Sequence, residues 1–120
     1  MSIGLLGREV ATVTTTDATV TTLWSLASAT GKTYQITVYL LAKRTDVSPS
    51  TWGTWLIVGS FDNDGGTLSQ HATSPSLLVA DLPTAAVATM DTTGTTIRLR
   101  VTGVIAQTFR WDAEVQVRRN

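Results

Sequence analysis

The apolar residues of this chain recur with a period of two, and this alternation constrains its fold more than any other feature. In residues 108–118 every second side chain is apolar, and residues 33–43 and 95–102 show the same alternation. A strand with this pattern turns one face to a core and the other to water. No segment of the sequence has the sustained apolar spacing of an amphipathic helix, so the pattern predicts an all-β fold.

Turn-forming residues divide the alternating segments from one another. The segment Asp62–Gly66 is the strongest turn signal, because Asp-Gly supplies the positive φ that a tight hairpin needs. Further breaks fall at residues 29–32, 46–51, 73–76, 83 and 93–94. The remaining segments, about eight short strands, predict an antiparallel β-sandwich or jelly-roll-like fold. We expect residues 1–11 to form an N-terminal arm and strand lead-in, and residues 12–120 a single sandwich domain.

Composition excludes several classes of partner. The 120 residues include 9 basic and 9 acidic side chains, so the formal net charge is zero. The sequence contains no cysteine. A neutral chain does not attract polyanions over a distance, and we expect no nucleic-acid partner. No stretch approaches the roughly 20 apolar residues of a membrane-spanning helix, and we expect no membrane partner. Near-zero net charge does little to keep molecules apart, which suits a protein that assembles.

The sequence offers little material for catalysis or metal binding. His71 is the one histidine, and no Gly-x-Ser-x-Gly segment presents a serine nucleophile. Residues 62–65 resemble the opening of a calcium loop, but an EF-hand needs an Asp or Asn at the fifth position and a Glu at the twelfth, and these positions are Gly66 and Thr73. An Asx-stabilised hairpin turn explains the segment better. We expect no catalytic residue, no metal site, no cofactor and no enzymatic activity.

Two carboxylates, Asp112 and Glu114, could in principle serve as catalytic residues. Asp112 and Glu114 lie two residues apart on one strand face, and paired carboxylates are the machinery of glycoside hydrolysis. Arg98 and Arg100 occupy the polar face of the preceding strand. If residues 95–102 and 108–118 form an antiparallel hairpin, Arg100 opposes Asp112, Arg98 opposes Glu114, and cross-strand ion pairs explain all four residues. A small glycosidase remains a third alternative for the function.

Tryptophan is frequent, and its four positions differ in context. Trp24 and Trp111 lie within alternating strands, which predicts that both are core residues. Trp52 lies at the end of a loop, next to Gly53. An exposed tryptophan ring can stack on the apolar face of a sugar, so Trp52 is the candidate for ligand contact.

Apolar residues outside the predicted core face mark candidate subunit contacts. In residues 53–61, Leu56 and Val58 make the second face of a strand apolar, so that face meets either further cover or another subunit. Ile3, Leu5 and Leu6 precede the predicted first strand, and a short apolar arm usually frays unless something covers it. The loop tip Val104–Ile105 is apolar where a hairpin loop is normally polar. Arm and tip either dock on a neighbouring subunit or fold back on the sandwich.

Five short motifs follow one another along the chain. They are Thr-Thr-Asp-Ala-Thr at 15–19, Ala-Lys-Arg at 42–44, Gly-Gly at 65–66, Val-Thr-Gly at 101–103 and Thr-Phe-Arg-Trp-Asp-Ala-Glu-Val at 108–115. In this order and spacing they resemble a small β domain of tailed-bacteriophage virion proteins. Residues 82–90 depart from the pattern of that group, where a tryptophan-containing segment is expected.

The resemblance implies a structural role in the virion, with assembly in the host cytoplasm. We expect a non-enzymatic capsid decoration or cement protein that stabilises the head through subunit contacts. Its expected partners are the major capsid protein or other virion proteins and further copies of itself, with a trimer favoured. The alternative is a tail or tail-fibre component that binds a host surface glycan.

Overall fold

Strands account for all the regular structure of the described residues. The computed structural model describes residues 5–71, 76–80, 82–83 and 85–120, and this part of the chain contains no helix long and apolar enough to cross a membrane. The all-β prediction is confirmed, with nine strands in the described ranges instead of about eight. They are β1 (Leu5–Thr15), β2 (Val20–Ala27), β3 (Thr33–Arg44), β4 (Trp52–Asp64), β5 (Thr67–Gln70), β6 (Ser76–Ala80), β7 (Val87–Thr93), β8 (Thr96–Thr102) and β9 (Phe109–Arg119).

The strands form two antiparallel sheets of unequal size, which confirms the predicted sandwich. The large sheet has the order β1-β9-β3-β4-β5, and β6 also pairs with β4, alongside a different stretch of that strand. The small sheet has the order β2-β8-β7. Every pairing is antiparallel. Buried residues alternate with more exposed ones along β3, β4, β8 and β9, so each of these strands turns one face to the core and one to solvent.

One core fills the space between the sheets. Trp111 is 0% exposed, and its ring centroid lies 5.4 Å from that of Trp55 and 6.1 Å from that of Phe109. Trp24 is also buried, so the predicted core positions of Trp24 and Trp111 are confirmed. The other fully buried large side chains are Tyr34, Ile36, Val38, Ile57, Phe61, Ile97, Leu99, Val101, Val115 and Val117.

The strongest turn signal of the sequence does form a hairpin, between β4 and β5. Asp64 pairs with Thr67, so Gly65 and Gly66 are the two turn residues, and their φ angles are +61° and +92°. Positive φ at both central positions is what a tight hairpin requires and what glycine supplies without a steric penalty.

The predicted C-terminal hairpin is wrong. β8 belongs to the small sheet, between β2 and β7, whereas β9 lies in the large sheet, between β1 and β3. The connection at 103–108 therefore crosses from one sheet to the other. Arg98 forms a bidentate ion pair with Asp91 of β7, in which Nε and Nη2 donate to the two carboxylate oxygens at 2.8 and 3.0 Å. Nη1 of Arg100 lies 3.7 Å from the same carboxylate. Alternation fixed which face of each strand is buried, but it does not specify the neighbouring strand.

The predicted N-terminal arm also needs correction. β1 begins at Leu5, so Leu5 and Leu6 are part of the first strand and do not precede it. Leu5 pairs with Arg118 and Gly7 with Val117, with a bulge between the two pairs. A bulge absorbs one extra residue without ending the ladder, which is how the strand continues past a break in its alternation. Ile3 lies outside the described residues.

Candidate functional site

The face of the large sheet that points away from the small sheet carries an apolar strip. Tyr39 and Leu41 of β3 point outward because their even-numbered neighbours point into the core. In register, Tyr39 lies opposite Leu56 of β4, and Leu41 lies opposite Thr54, which in turn pairs with Val79 of β6. Tyr39 is 48% exposed and Val79 is 69% exposed, so large apolar side chains from three adjacent strands meet solvent together.

A shallow groove of about 360 Å³ runs along this strip. Leu40 and Trp55 contribute to its floor, although their side chains point into the core. We call this feature the apolar groove. Its lining residues are Tyr39, Leu40, Leu41, Thr54, Trp55, Leu56 and Val79.

One end of the apolar groove is bordered by Trp52 and two cations. Trp52 is 57% exposed and points to the same side as Thr54 and Leu56. It pairs with Lys43 of β3, and Lys43 pairs in turn with Arg110 of β9. Because Trp52 precedes Leu56 by four residues, it lies about 13 Å along the strand from the Tyr39 end of the apolar groove. Trp52 is thus exposed at the point where the β3–β4 loop ends, and its contact with a ligand stays a prediction.

A loop beside this end is held by an ion pair. Arg44 ends β3 and donates from Nε and Nη2 to the two carboxylate oxygens of Asp46, at 2.7 and 3.2 Å. These hydrogen bonds lower the pKa of Asp46 from its ordinary value. The backbone N–H of Thr45 donates to the carbonyl of Thr108 at 2.9 Å, so the start of the β3–β4 loop is fixed to the residue before β9.

Asp112 and Glu114 line the other side of the apolar strip. In register, Asp112 lies opposite Leu41 and Glu114 lies opposite Tyr39. Glu114 forms an ion pair of 2.9 Å with Arg8 of β1, and Asp112 lies 3.4 Å from Arg110 of its own strand. Their partners are therefore not Arg98 and Arg100, as the sequence predicted, because those arginines belong to the opposite sheet.

This arrangement of carboxylates is better suited to binding than to hydrolysis. Asp112 and Glu114 stand side by side on one strand, roughly 6–7 Å apart along it. Glycoside hydrolysis instead places its carboxylates on either side of the bond that is cleaved. On an open sheet face, ion-paired carboxylates accept hydrogen bonds from a ligand that lies across them.

The other candidates for chemistry, His71 and residues 62–66, do not line the apolar groove. His71 is exposed, and its backbone N–H donates to the carbonyl of Ser60 at 3.0 Å. Among the described residues, no three histidines or carboxylates converge as metal ligands. Asn63 accepts a hydrogen bond of 3.0 Å from the N–H of Gly66, so the calcium-like segment is the Asx-stabilised turn that the sequence analysis favoured.

The candidate contact residues fall into separate places. Leu56 and Val58 point outward on β4, where Leu56 lines the apolar groove. Val104 packs against the core, whereas Ile105 beside it is 76% exposed. For Leu5 and Leu6 the structure describes the strand but not the side chains.

The sequence alone singles out Trp52 and Leu56, which are two members of a larger outward face. Alternation alone puts Tyr39 on the outward face of its strand, together with the polar Gln35 and Thr37. The overlooked signal was the pair Tyr39 and Leu41, two large apolar residues at successive positions of a face that is otherwise polar. Tyr39 and Leu41 lie near Val79 only because β4 stands between β3 and β6, and the alternation of apolar residues does not specify which strands are neighbours.

Comparison with known proteins finds similarity at the level of solved structures. No family model and no curated protein sequence matches the chain. Three phage tailspike structures do match. Tailspike gp49 of Acinetobacter baumannii bacteriophage Fri1, a capsular polysaccharide depolymerase, has 14% identity and a TM-score of 0.40, and the match covers 91% of this chain and 17% of that one. The tailspike of Acinetobacter phage vB_ApiP_P1 has 15% identity and a TM-score of 0.43, with 95% of this chain and 22% of that one covered. The tailspike of Acinetobacter baumannii phage AM24 has 11% identity and a TM-score of 0.36, with 91% of this chain and 26% of that one covered. The chain thus spans 17–26% of the length of these proteins. Likeness at this level assigns neither a family nor a function to it.

Proposed function

We propose that this chain is a phage virion domain of the tail class that binds carbohydrate on the outer face of its large sheet. The observation that carries the proposal is an exposed aromatic side chain within the apolar groove, Tyr39, and a second just beyond its end, Trp52. The carboxylates of Asp112 and Glu114 lie beside the groove. This is the alternative function of the sequence analysis, extended from Trp52 to a whole face.

The surface matches the two-sided chemistry of a sugar. A pyranose ring has an apolar face, which packs on aromatic and aliphatic side chains, and a rim of hydroxyl groups. The carboxylates of Asp112 and Glu114 accept hydrogen bonds, and the hydroxyl of Thr54 both donates and accepts. Pockets that bind small molecules likewise combine an apolar lining with a few polar groups that fix orientation.

The same chemistry argues against the capsid decoration role as the use of this face. A subunit joint that covered the strip would also remove water from Asp112, Glu114 and the ammonium of Lys43. Desolvation of such charges often costs more than their mutual attraction returns. A bound glycan leaves the ion pairs partly hydrated and adds hydroxyl groups to them.

A glycan array of bacterial surface polysaccharides tests the proposal. We expect the purified protein to bind a subset of the array, and Trp52→Ala and Tyr39→Ala each to weaken that binding about tenfold, which corresponds to 1.4 kcal/mol. Val10→Ala is the matched control, because Val10 is exposed on the same face but lies on β1, outside the apolar groove. Wild-type protein that binds no polysaccharide, or alanine variants that bind as well as wild type, would contradict the proposal.

The copy number of the chain in purified particles separates the two virion roles. Few copies per particle, recovered with tails after fractionation, are expected for a tail component. Many copies recovered with heads would support the capsid decoration role instead.

A further inference from the structure

We infer that the Trp52 end of the apolar groove selects glycans that carry a carboxylate. The inference rests on the proposed function and specifies its ligand class. On the outer face of the large sheet, two pairs of opposite charges neutralise each other. Arg8 pairs with Glu114 at 2.9 Å, and Arg110 lies 3.4 Å from Asp112.

Two cations of this face, Lys43 and Arg118, have no ion pair among the described residues. Arg118 lies opposite Gln35, at the far end of β3 from the apolar groove's Trp52 end. Lys43 is exposed at the Trp52 end, and its ammonium has no hydrogen-bond partner among the described residues. The neighbouring Arg44 and Asp46 are paired with each other. One positive charge therefore remains at the end of the groove where the exposed tryptophan stands.

The register places this charge where a stacked sugar would present its substituents. Lys43 is the direct cross-strand partner of Trp52, and neighbouring strands lie about 4.8 Å apart. A sugar ring that packs on Trp52 holds a ring carboxylate within reach of the ammonium. Such a hydrogen bond between two charged groups is roughly twice as strong as one between neutral groups.

Arg110 can strengthen the same contact. It lies on the other side of Lys43 in register, is largely exposed, and its 3.4 Å separation from Asp112 is long for a charged hydrogen bond. A ligand carboxylate near Lys43 offers its guanidinium a second acceptor. Glu114 and Asp112 stand further along the strip and repel closely spaced negative charges, so the face suits an acidic sugar followed by neutral ones and not a dense polyanion.

Paired ligands that differ only in charge test this inference. The probes are a panel of uronic-acid polysaccharides, each beside its own carboxyl-reduced form, together with neutral polysaccharides. We expect the wild-type protein to prefer the acidic form of each ligand that it binds, with an affinity that falls as salt concentration rises. Lys43→Gln should weaken binding of the acidic form about tenfold and leave binding of the reduced form unchanged.

Lys32→Gln is the matched control. Lys32 is the only other lysine of the chain, and it lies in the turn before β3, at the opposite end of that strand from Lys43. Melting temperatures of both variants should equal that of the wild type. Equal binding of acidic and reduced forms, with no effect of Lys43→Gln, would overturn the carboxylate selection and leave the proposed function standing. Absence of binding to every polysaccharide, or binding indifferent to Trp52→Ala, would overturn the proposed function as well.

Discussion

At the scale of single residues, the buried indole of Trp111 depends on one hydroxyl group. The N–H of this ring donates to Oγ1 of Thr15 at 2.9 Å, in a fully buried hydrogen bond. Thr15 is itself almost completely buried at the end of β1. Gly103 closes the site, because a Cβ at that position would lie 2.8 Å from the carbonyl oxygen of Asp17 as well as against Thr15. Residues 103 and 111, which are distant from Thr15 in the sequence, therefore both meet its side chain.

Replacement of the hydroxyl group tests this dependence. Thr15→Val keeps the shape of the side chain but leaves the indole N–H of Trp111 without an acceptor, so we expect the free energy of unfolding to fall by about 1–3 kcal/mol. Thr14→Val is the control, because Thr14 is the exposed neighbour on the same strand. Urea denaturation followed by tryptophan fluorescence measures both. Equal midpoints for the two variants would contradict the assigned role of Thr15.

The sequence predicted part of this arrangement and could not predict the rest. Trp111 stands in an uninterrupted apolar row, so its burial followed from alternation alone. Its acceptor is 96 positions away in the chain, in a segment whose many threonines look alike. Which threonine turns inward is decided by the pairing of β1 with β9.

At the scale of elements, Asn63 joins two connections at one end of the large sheet. Its side chain is 1% exposed. Oδ1 accepts from the N–H of Gly66 in the β4–β5 turn at 3.0 Å, and Nδ2 donates to Oγ of Ser28 after β2 at 2.9 Å. Its backbone N–H donates to the carbonyl of Lys32 at 3.0 Å. The hairpin turn and the β2–β3 connection are thus held by one residue.

Loss of that amide should loosen both connections together. We expect Asn63→Ala to lower the free energy of unfolding by about 1–3 kcal/mol, because the N–H of Gly66 loses its acceptor and Ser28 its donor. Asp64→Ala changes the exposed next residue and serves as the control. Amide hydrogen exchange should speed up at Gly66 and also at Gly31, whose N–H donates to the carbonyl of Asn63 at 2.7 Å. Faster exchange at Gly66 alone would show that the two connections are independent.

Element pairing is where sequence reasoning failed. The alternation of β8 and β9 is equally regular, and both strands bury one face and expose the other. Consecutive strands often pair, which favours a hairpin, and a register that opposes Arg100 to Asp112 and Arg98 to Glu114 is compatible with one. Asp91 of β7 provides the partner for Arg98 and Arg100, and the same charge pattern is compatible with either neighbour. The apolar strip could not be predicted for the same reason. Tyr39, Leu41 and Val79 lie close together only because the strand order is β3-β4-β6.

At the scale of the whole molecule, both sheets contribute to a single apolar cluster. Ile97, Leu99 and Val101 of the small sheet belong to the same buried core as Trp55 and Trp111 of the large sheet. At one edge, the indole N–H of Trp24 donates to the carboxylate of Glu9 at 2.9 Å and connects β2 with β1. The small sheet has three strands and covers a face built from six. Neither sheet keeps its inner face dry without the other.

A single core predicts that a defect in the small sheet destabilises the large one equally. Leu99 is fully buried on β8, and Leu99→Ala should lower the free energy of unfolding by about 2–5 kcal/mol through lost burial and the cavity that remains. Native-state hydrogen exchange measures the result strand by strand. The slowest amides of β8 and of β9 should lose protection by the same free energy, because both exchange only when the whole sandwich opens. Thr96→Ala, an outward-facing change on the same strand, should leave both nearly unchanged. If the amides of β9 kept their protection while those of β8 lost it, the two sheets would open separately, and the binding face of the large sheet would not need the small sheet for its stability.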